Sequence, residues 1–432
     1  MLCSLIANVL NVMSLRAQEP YPGVVQTDSL RISTLQFNRT LETFLWNGRI
    51  IVEPRIADGA MSVEQLLSSR AIRVGRMSIQ DEWRTNLLYT TNLTGSWGAV
   101  AAARSMGVSG NRQLDLGNLS DHQLLAGPRY SMPSGVLLSF LGGFAFASQE
   151  GIQENGFSYL AEARARSIPL EDFLVSFASR SGQSFLSPRT VKAESIMVSI
   201  VRDFEGFAMN NLSAGFSNHR REFYLLADPA VRGDFAIERN IFRRDAREIS
   251  ISDSLSYRTS ARSSFIVHVG FMNRTIDRGY RYKSFSNPGS MILDSKIQEL
   301  RVFGGASVRL SLAEWLRSEV ALMYEEREER HSVKDEPNVP LGTYQRQDQA
   351  ARKLGNLSRR TGVAGNLSIK ASEKDSLNLT GSASILRYDT PDSLNTDDRD
   401  ELLLAFGVKE SHSFNPHLSV SVLAEATLSH LV

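Results

Sequence analysis

Between residues 357 and 432 the chain alternates apolar and polar positions with a period of two. Thr361, Val363, Gly365, Leu367 and Ile369 alternate with Ala364, Asn366, Ser368 and Lys370, and after the turn 372–375 Leu377, Leu379, Ala383 and Ile385 alternate with Asn378, Thr380, Ser382 and Ser384. The rhythm returns at Leu402, Leu404, Phe406 and Val408, then at Leu418, Val420, Val422, Ala424 and Leu428 opposite Ser419, Ser421, Glu425 and Thr427. Such alternation predicts strands with one dry and one wet face.

The same rhythm runs upstream. Candidate strands cover 41–51, 84–92, 97–104, 121–129, 136–147, 157–165, 173–179, 195–202, 206–216, 222–227, 248–257, 264–273, 297–312 and 318–328, which with the last four makes about eighteen. Connections alternate between tight (94–96, 133–135, 313–315, 372–375, 413–417) and long and polar (106–120, 286–295, 331–357, 389–400). The fold expected is all-β, an antiparallel up-and-down transmembrane barrel of about eighteen or more strands, with short periplasmic turns and long outer loops. The expected strands are longer than those of a sandwich. No fixed short repeat marks a solenoid. Between about 168 and 216 the up-down parity fails, so one strand there is misread or missing.

Val136, Leu138, Phe140, Phe144, Val302, Val308, Val320, Leu322 and Tyr324 are expected to face lipid. Arg301, Arg309, Asn366, Lys370, Glu425 and His268 are expected to face the lumen. Trp97 and Trp315 stand at tight turns, where an indole suits the membrane–water boundary.

Composition narrows the compartment. The 432 residues are 42% hydrophobic, with a formal net charge of +1. That balance argues against a nucleic-acid partner, which favours a basic surface. Residues 1–15 are nearly continuously apolar and lead into Arg16-Ala17-Gln18, which reads as a secretory signal peptide over 1–18. Residues 19–80 form a less regular N-terminal segment that includes a first strand, and 81–432 form the barrel. The single cysteine, Cys3, falls inside the leader, so no disulfide framework is expected. Eight Asn-X-Ser/Thr sequons occur, with Asn366 and Asn378 at inward positions, and are read as turn and strand chemistry.

The segments 357–388 and 402–428, the latter around Phe414-Asn415-Pro416, resemble the large outer-membrane β-barrel proteins of Gram-negative bacteria, and the acidic turn 397–402 resembles those of Bacteroidota-like organisms. The likeness covers about residues 80–432 and concerns architecture. It implies a bacterial outer-membrane location, contact with membrane lipid and lipopolysaccharide, and assembly by the barrel-insertion machinery. Such barrels commonly end on a strand with a terminal aromatic. This chain stops at Ser429-His430-Leu431-Val432, so a C-terminal truncation is expected. No TonB box or plug signature is visible.

Little chemistry stands out. His268 is the candidate base of a barrel hydrolase, but no paired nucleophile or acid motif accompanies it. The seven histidines show no metal-ligand spacing, and no cofactor is implied. The acidic loop 389–401 lacks Ca²⁺-loop spacing and reads as a solvated outer loop, and the run 325–330 reads as a solvated strand extension. His219-Arg220-Arg221 is a short basic cluster that names no ligand. The function expected is a non-enzymatic pore or receptor for small solutes. A surface adhesion or secretion-complex barrel and a barrel hydrolase with a lumen histidine are the alternatives.

Overall fold

A computed structural model describes residues 42–431 except 53–54, 57–58, 75, 110–118, 150, 285–291, 335, 337–338, 391–398 and 416–417. The leader assigned to 1–18 and most of the acidic loop lie outside the described residues. The strands are β1 (Glu42–Val52), β2 (Arg55–Ile56), β3 (Gly59–Val74), β4 (Arg76–Asn92), β5 (Trp97–Ser109) and β6 (Leu119–Ser131). They continue as β7 (Val136–Gln149), β8 (Ile152–Leu170), β9 (Phe173–Leu186), β10 (Thr190–Phe204), β11 (Ala208–Leu226), β12 (Arg239–Ser260) and β13 (Ser263–Tyr280). The remainder are β14 (Ser295–Ala313), β15 (Leu316–Val333), β16 (Asn356–Lys370), β17 (Asp375–Asp389), β18 (Arg399–Asn415) and β19 (Leu418–Leu431).

Each long strand pairs antiparallel with the next, and β1 pairs with β3 on one edge and β19 on the other. Of the 19 strands in this sheet, the two-residue β2 touches only the end of β3, so the other eighteen close into a ring. Closure leaves no unpaired strand edge, the condition for a sheet to stand in lipid.

The first strands of the ring lie inside 19–80: β1, β3 and the opening of β4 occupy the segment read as less regular. Two features underlie the parity break between 168 and 216: a register shift in β8 between Ala165 and Ile168, and a strand that the sequence reading divides. Residues 206–216 and 222–227 belong to one strand, β11, and His219-Arg220-Arg221 sits within it rather than in a turn. Six consecutive polar residues, 217–222, hide the alternation there. Splitting β11 and overlooking β3 cancel, so the expected count agrees with the ring.

The turns at one end are short throughout, including 132–135, 171–172, 205–207, 261–262, 314–315 and 371–374. The other end carries the long connections. A helix, Pro229–Phe235, follows β11, with the Asp228 side chain capping the Ala230 N–H at 2.9 Å. A second, Leu341–Arg352, follows β15. It is pinned by its buried Asp348, which accepts from the Val333 N–H at 3.3 Å.

Candidate functional site

Side-chain alternation on a closed ring produces two surfaces, and β14 shows both. Leu300, Val302, Val308 and Leu310 project outward and are 38–47% exposed, while Glu299 and Ser307 on the other face are buried. The six residues expected in the lumen all occupy inward register positions. Arg309 donates to Glu319 at 2.9 Å, and Ser307 donates to the other oxygen of the same carboxylate at 2.9 Å. Glu319 stands opposite Asn366, Asn366 opposite Thr380, Thr380 opposite Gly407, and Gly407 opposite Glu425. Arg309, Asn366 and Glu425 therefore share one transverse belt. A recess of about 460 Å³ runs along it, lined by Glu319, Asn366, Thr380, Glu425 and Thr427. The Asn366 Oδ1 is buried there without a hydrogen-bond partner among the described residues.

The other three candidates lie apart from that belt. Arg301 pairs with Glu325 at 2.7 Å and lies over the Phe303 ring at 5.2 Å. Lys370 stands at the tight-turn end, opposite Ser376. His268 stands opposite Ser254 and Gly305, and a Cβ added at Gly305 would come within 2.7 Å of the imidazole. Among the described residues His268 makes no hydrogen bond to Ser254 or to any carboxylate.

Sequence reasoning missed the charged inward ladder at the loop end. The run 325–330 divides by alternation: Glu325, Arg327 and Glu329 point inward, while Glu326, Glu328 and Arg330 point outward. Only the outward half is the solvated extension that was expected. Arg327 bonds Glu299 at 2.7 Å and Glu329 at 2.9 Å, and Glu329 bonds His331 at 2.6 Å. Period-two parity alone could have found this ladder.

The lumen is asymmetric. Val100, Leu125, Leu141 and Leu160 project inward from β5–β8 and are 2–7% exposed, packed with Leu88 and Ala102. On the same side Gln123 of β6 donates to Ser184 of β9 at 3.0 Å. Neighbouring strands lie about 4.8 Å apart, so two side chains three strands apart can meet only where the sheet curls sharply. Above this corner the turn residue Arg189, 3% exposed, donates to Glu154 at 2.6 Å and to the Glu222 carbonyl at 3.0 Å. Tyr224 donates to the other Glu154 oxygen at 2.5 Å. This network ties β8, the β9–β10 turn and β11 together.

The outer surface defines the solvent it meets. Phe140, Phe144, Val320, Leu322 and Phe406 project outward and are 53–65% exposed. At the tight-turn end Trp97 packs at a tilt against Tyr130 with ring centroids 4.8 Å apart, Phe207 meets Tyr257 at 6.2 Å, and Trp315 is 55% exposed. At the loop end the band gives way to polar pairs, among them Arg220–Asp245 at 2.6 Å and Arg359–Glu326 at 3.0 Å. An apolar belt between an aromatic rim and a charged rim is the exterior of a membrane barrel.

No family model and no curated relative matches the chain. Among solved structures it is similar to a bacterial polysaccharide outer membrane secretin, at 11% identity and a TM-score of 0.34, covering 90% of this chain and 98% of that one. It is also similar to OmpT, an outer membrane protein of Vibrio cholerae (10% identity, TM-score 0.35, 91% and 99% covered). A third is the siderophore receptor PirA from Pseudomonas aeruginosa (9%, TM-score 0.35, 91% and 80%). At such low similarity these likenesses identify neither a solute nor an activity. The closed ring and its exterior define the class: a transmembrane β-barrel of the outer-membrane type.

Proposed function

We propose that this barrel is a non-enzymatic pore for small polar solutes in a bacterial outer membrane. The supporting observation is a closed ring of eighteen long strands whose inward face is rich in hydroxyls and paired charges, including Ser250, Ser252, Ser254 and Ser256 in succession along β12. Rings of 16–18 strands enclose an aqueous channel. Small hydroxylated side chains occupy little of its width and offer hydrogen bonds in place of those a solute leaves in water. The outward charges at the loop end, such as Arg359 and Glu326, would meet lipid and lipopolysaccharide headgroups. The test is single-channel conductance of the full chain in planar bilayers. Discrete conductance steps support a pore, and a bilayer that stays sealed at every voltage overturns it.

A further inference from the structure

Three arginines on consecutive strands face one another across the inward surface at the loop end: Arg221 of β11 lies opposite Arg244 of β12, which lies opposite Arg278 of β13. Directly opposed strand residues hold their Cβ atoms about 5 Å apart, where like charges repel. The outward residues beside them, Arg220, Arg243 and Asp245, are polar and ion-paired, so the row stands above the hydrocarbon belt at the mouth of the lumen.

The carboxylates near Arg221 and Arg278 are engaged elsewhere. Glu82 lies close to Arg221 but bonds Arg84 at 2.6 Å. Glu329 lies close to Arg278 but bonds Arg327 and His331. Asp121 is shared among Arg221, Arg189 and Arg104. Arg180, Arg221 and Arg244 surround His219. Among the described residues Arg221 and Arg278 make no hydrogen bond to a protein acceptor, although both are partly buried. Two guanidinium groups carry ten N–H donors between them. Partly buried and lacking protein acceptors, those donors are left to lumen water or to an oxygen-rich ligand that displaces it.

We propose that Arg221, Arg244 and Arg278 form a binding site for the oxyanion group, phosphate, sulfate or carboxylate, of a solute entering from the loop side. Planar guanidinium forks match the paired oxygens of such groups, and the anion removes the repulsion along the row. The site lies inside the barrel wall, so its ligand is a dissolved solute rather than a lipid headgroup. It rests on the reading that the lumen holds water, and it makes the pore selective for anions.

The experiment is calorimetric titration of the folded full chain in detergent with inorganic phosphate at constant ionic strength, with heat-modifiable gel mobility as the check of folding. Saturable binding is expected, weakened about tenfold or more in Arg221→Gln/Arg278→Gln. It should be retained in Arg309→Gln, whose guanidinium serves Glu319 in the other belt. If the glutamine variant fails to fold, Arg221→Lys/Arg278→Lys replaces it, with weakened binding again expected because the forks are lost. Absence of saturable phosphate binding by the folded wild type, or equal binding in the variants, overturns the site. Conductance without phosphate binding would leave the pore and sink the site. Phosphate binding by a protein that never conducts would leave the site and sink the pore.

Discussion

The Asn210 side-chain amide donates to the Asp253 carboxylate across 2.7 Å on the outward face of the barrel. Asp253 is the middle residue of an outward series on β12 that is otherwise Tyr257, Leu255, Ile251 and Ile249, each 43–54% exposed. A carboxylate in that position meets hydrocarbon, and its bond to Asn210 offsets part of the cost. Asn210→Leu should destabilise the barrel by roughly 2 kcal/mol, because it strands the acid. Asn210→Leu/Asp253→Leu should recover that loss, since removing both partners removes the burden itself. Urea titration of folding into liposomes decides it. A double variant no more stable than the single one would mean that Asp253 meets water or a protein surface instead.

Inward and outward substitutions on one strand should differ sharply. Leu322 is 60% exposed on the outward face of β15, and Ala321 faces inward opposite Ser307 and Ala364. Leu322→Arg should cost about 2–4 kcal/mol near the bilayer midplane, with a much smaller effect for Ala321→Arg. Val422→Arg and Ser421→Arg on β19 form a second pair with a smaller contrast. Ser421 does face inward, but it is only 7% exposed, so an arginine there would also be crowded. Equal folding yields for the two β15 variants would contradict the register.

Arg189 should be a point of failure. Its guanidinium is enclosed with Glu154, and Arg189→Ala would leave that carboxylate buried with only the Tyr224 hydroxyl as partner. Breaking such a pair costs about 3–5 kcal/mol. The readout is the temperature at which heat-modifiable mobility is lost. A variant that melts with the wild type would show that the corner does not depend on this pair.

Lys283 of the β13–β14 loop pairs with Asp294 of the same loop at 2.9 Å and with Glu336 of the β15–β16 loop, which ties the two loops together. Burial disfavours its charge, but the bonds to the two carboxylates outweigh burial and raise its pKa above the ordinary 10.5. A raised pKa contributes stability that is present below 10.5 and lost as pH rises through the higher value. Protease resistance of these loops should therefore hold from neutral pH to the lysine range and fall above it. Lys283→Met should remove that alkaline step. An alkaline step unchanged in the variant would assign it to another group.

Alternation of apolar and polar side chains by itself determined the strand-rich fold, the two faces of each regular strand, the alternation of short and long connections, and the inward placement of Arg309, Asn366 and Glu425. Those properties follow from the two-residue period of an extended chain and need no knowledge of which strand lies beside which. The tertiary structure decided everything that depends on register and closure. It joined 206–216 to 222–227 through a polar stretch without visible alternation, brought β1 against β19, and curled β6–β9 until Gln123 reached Ser184. It also set Arg221, Arg244 and Arg278 in one row, although they lie more than twenty residues apart along the chain. Spacing that wide leaves no local pattern. Only the hydrogen-bond register of neighbouring strands makes those three charges meet.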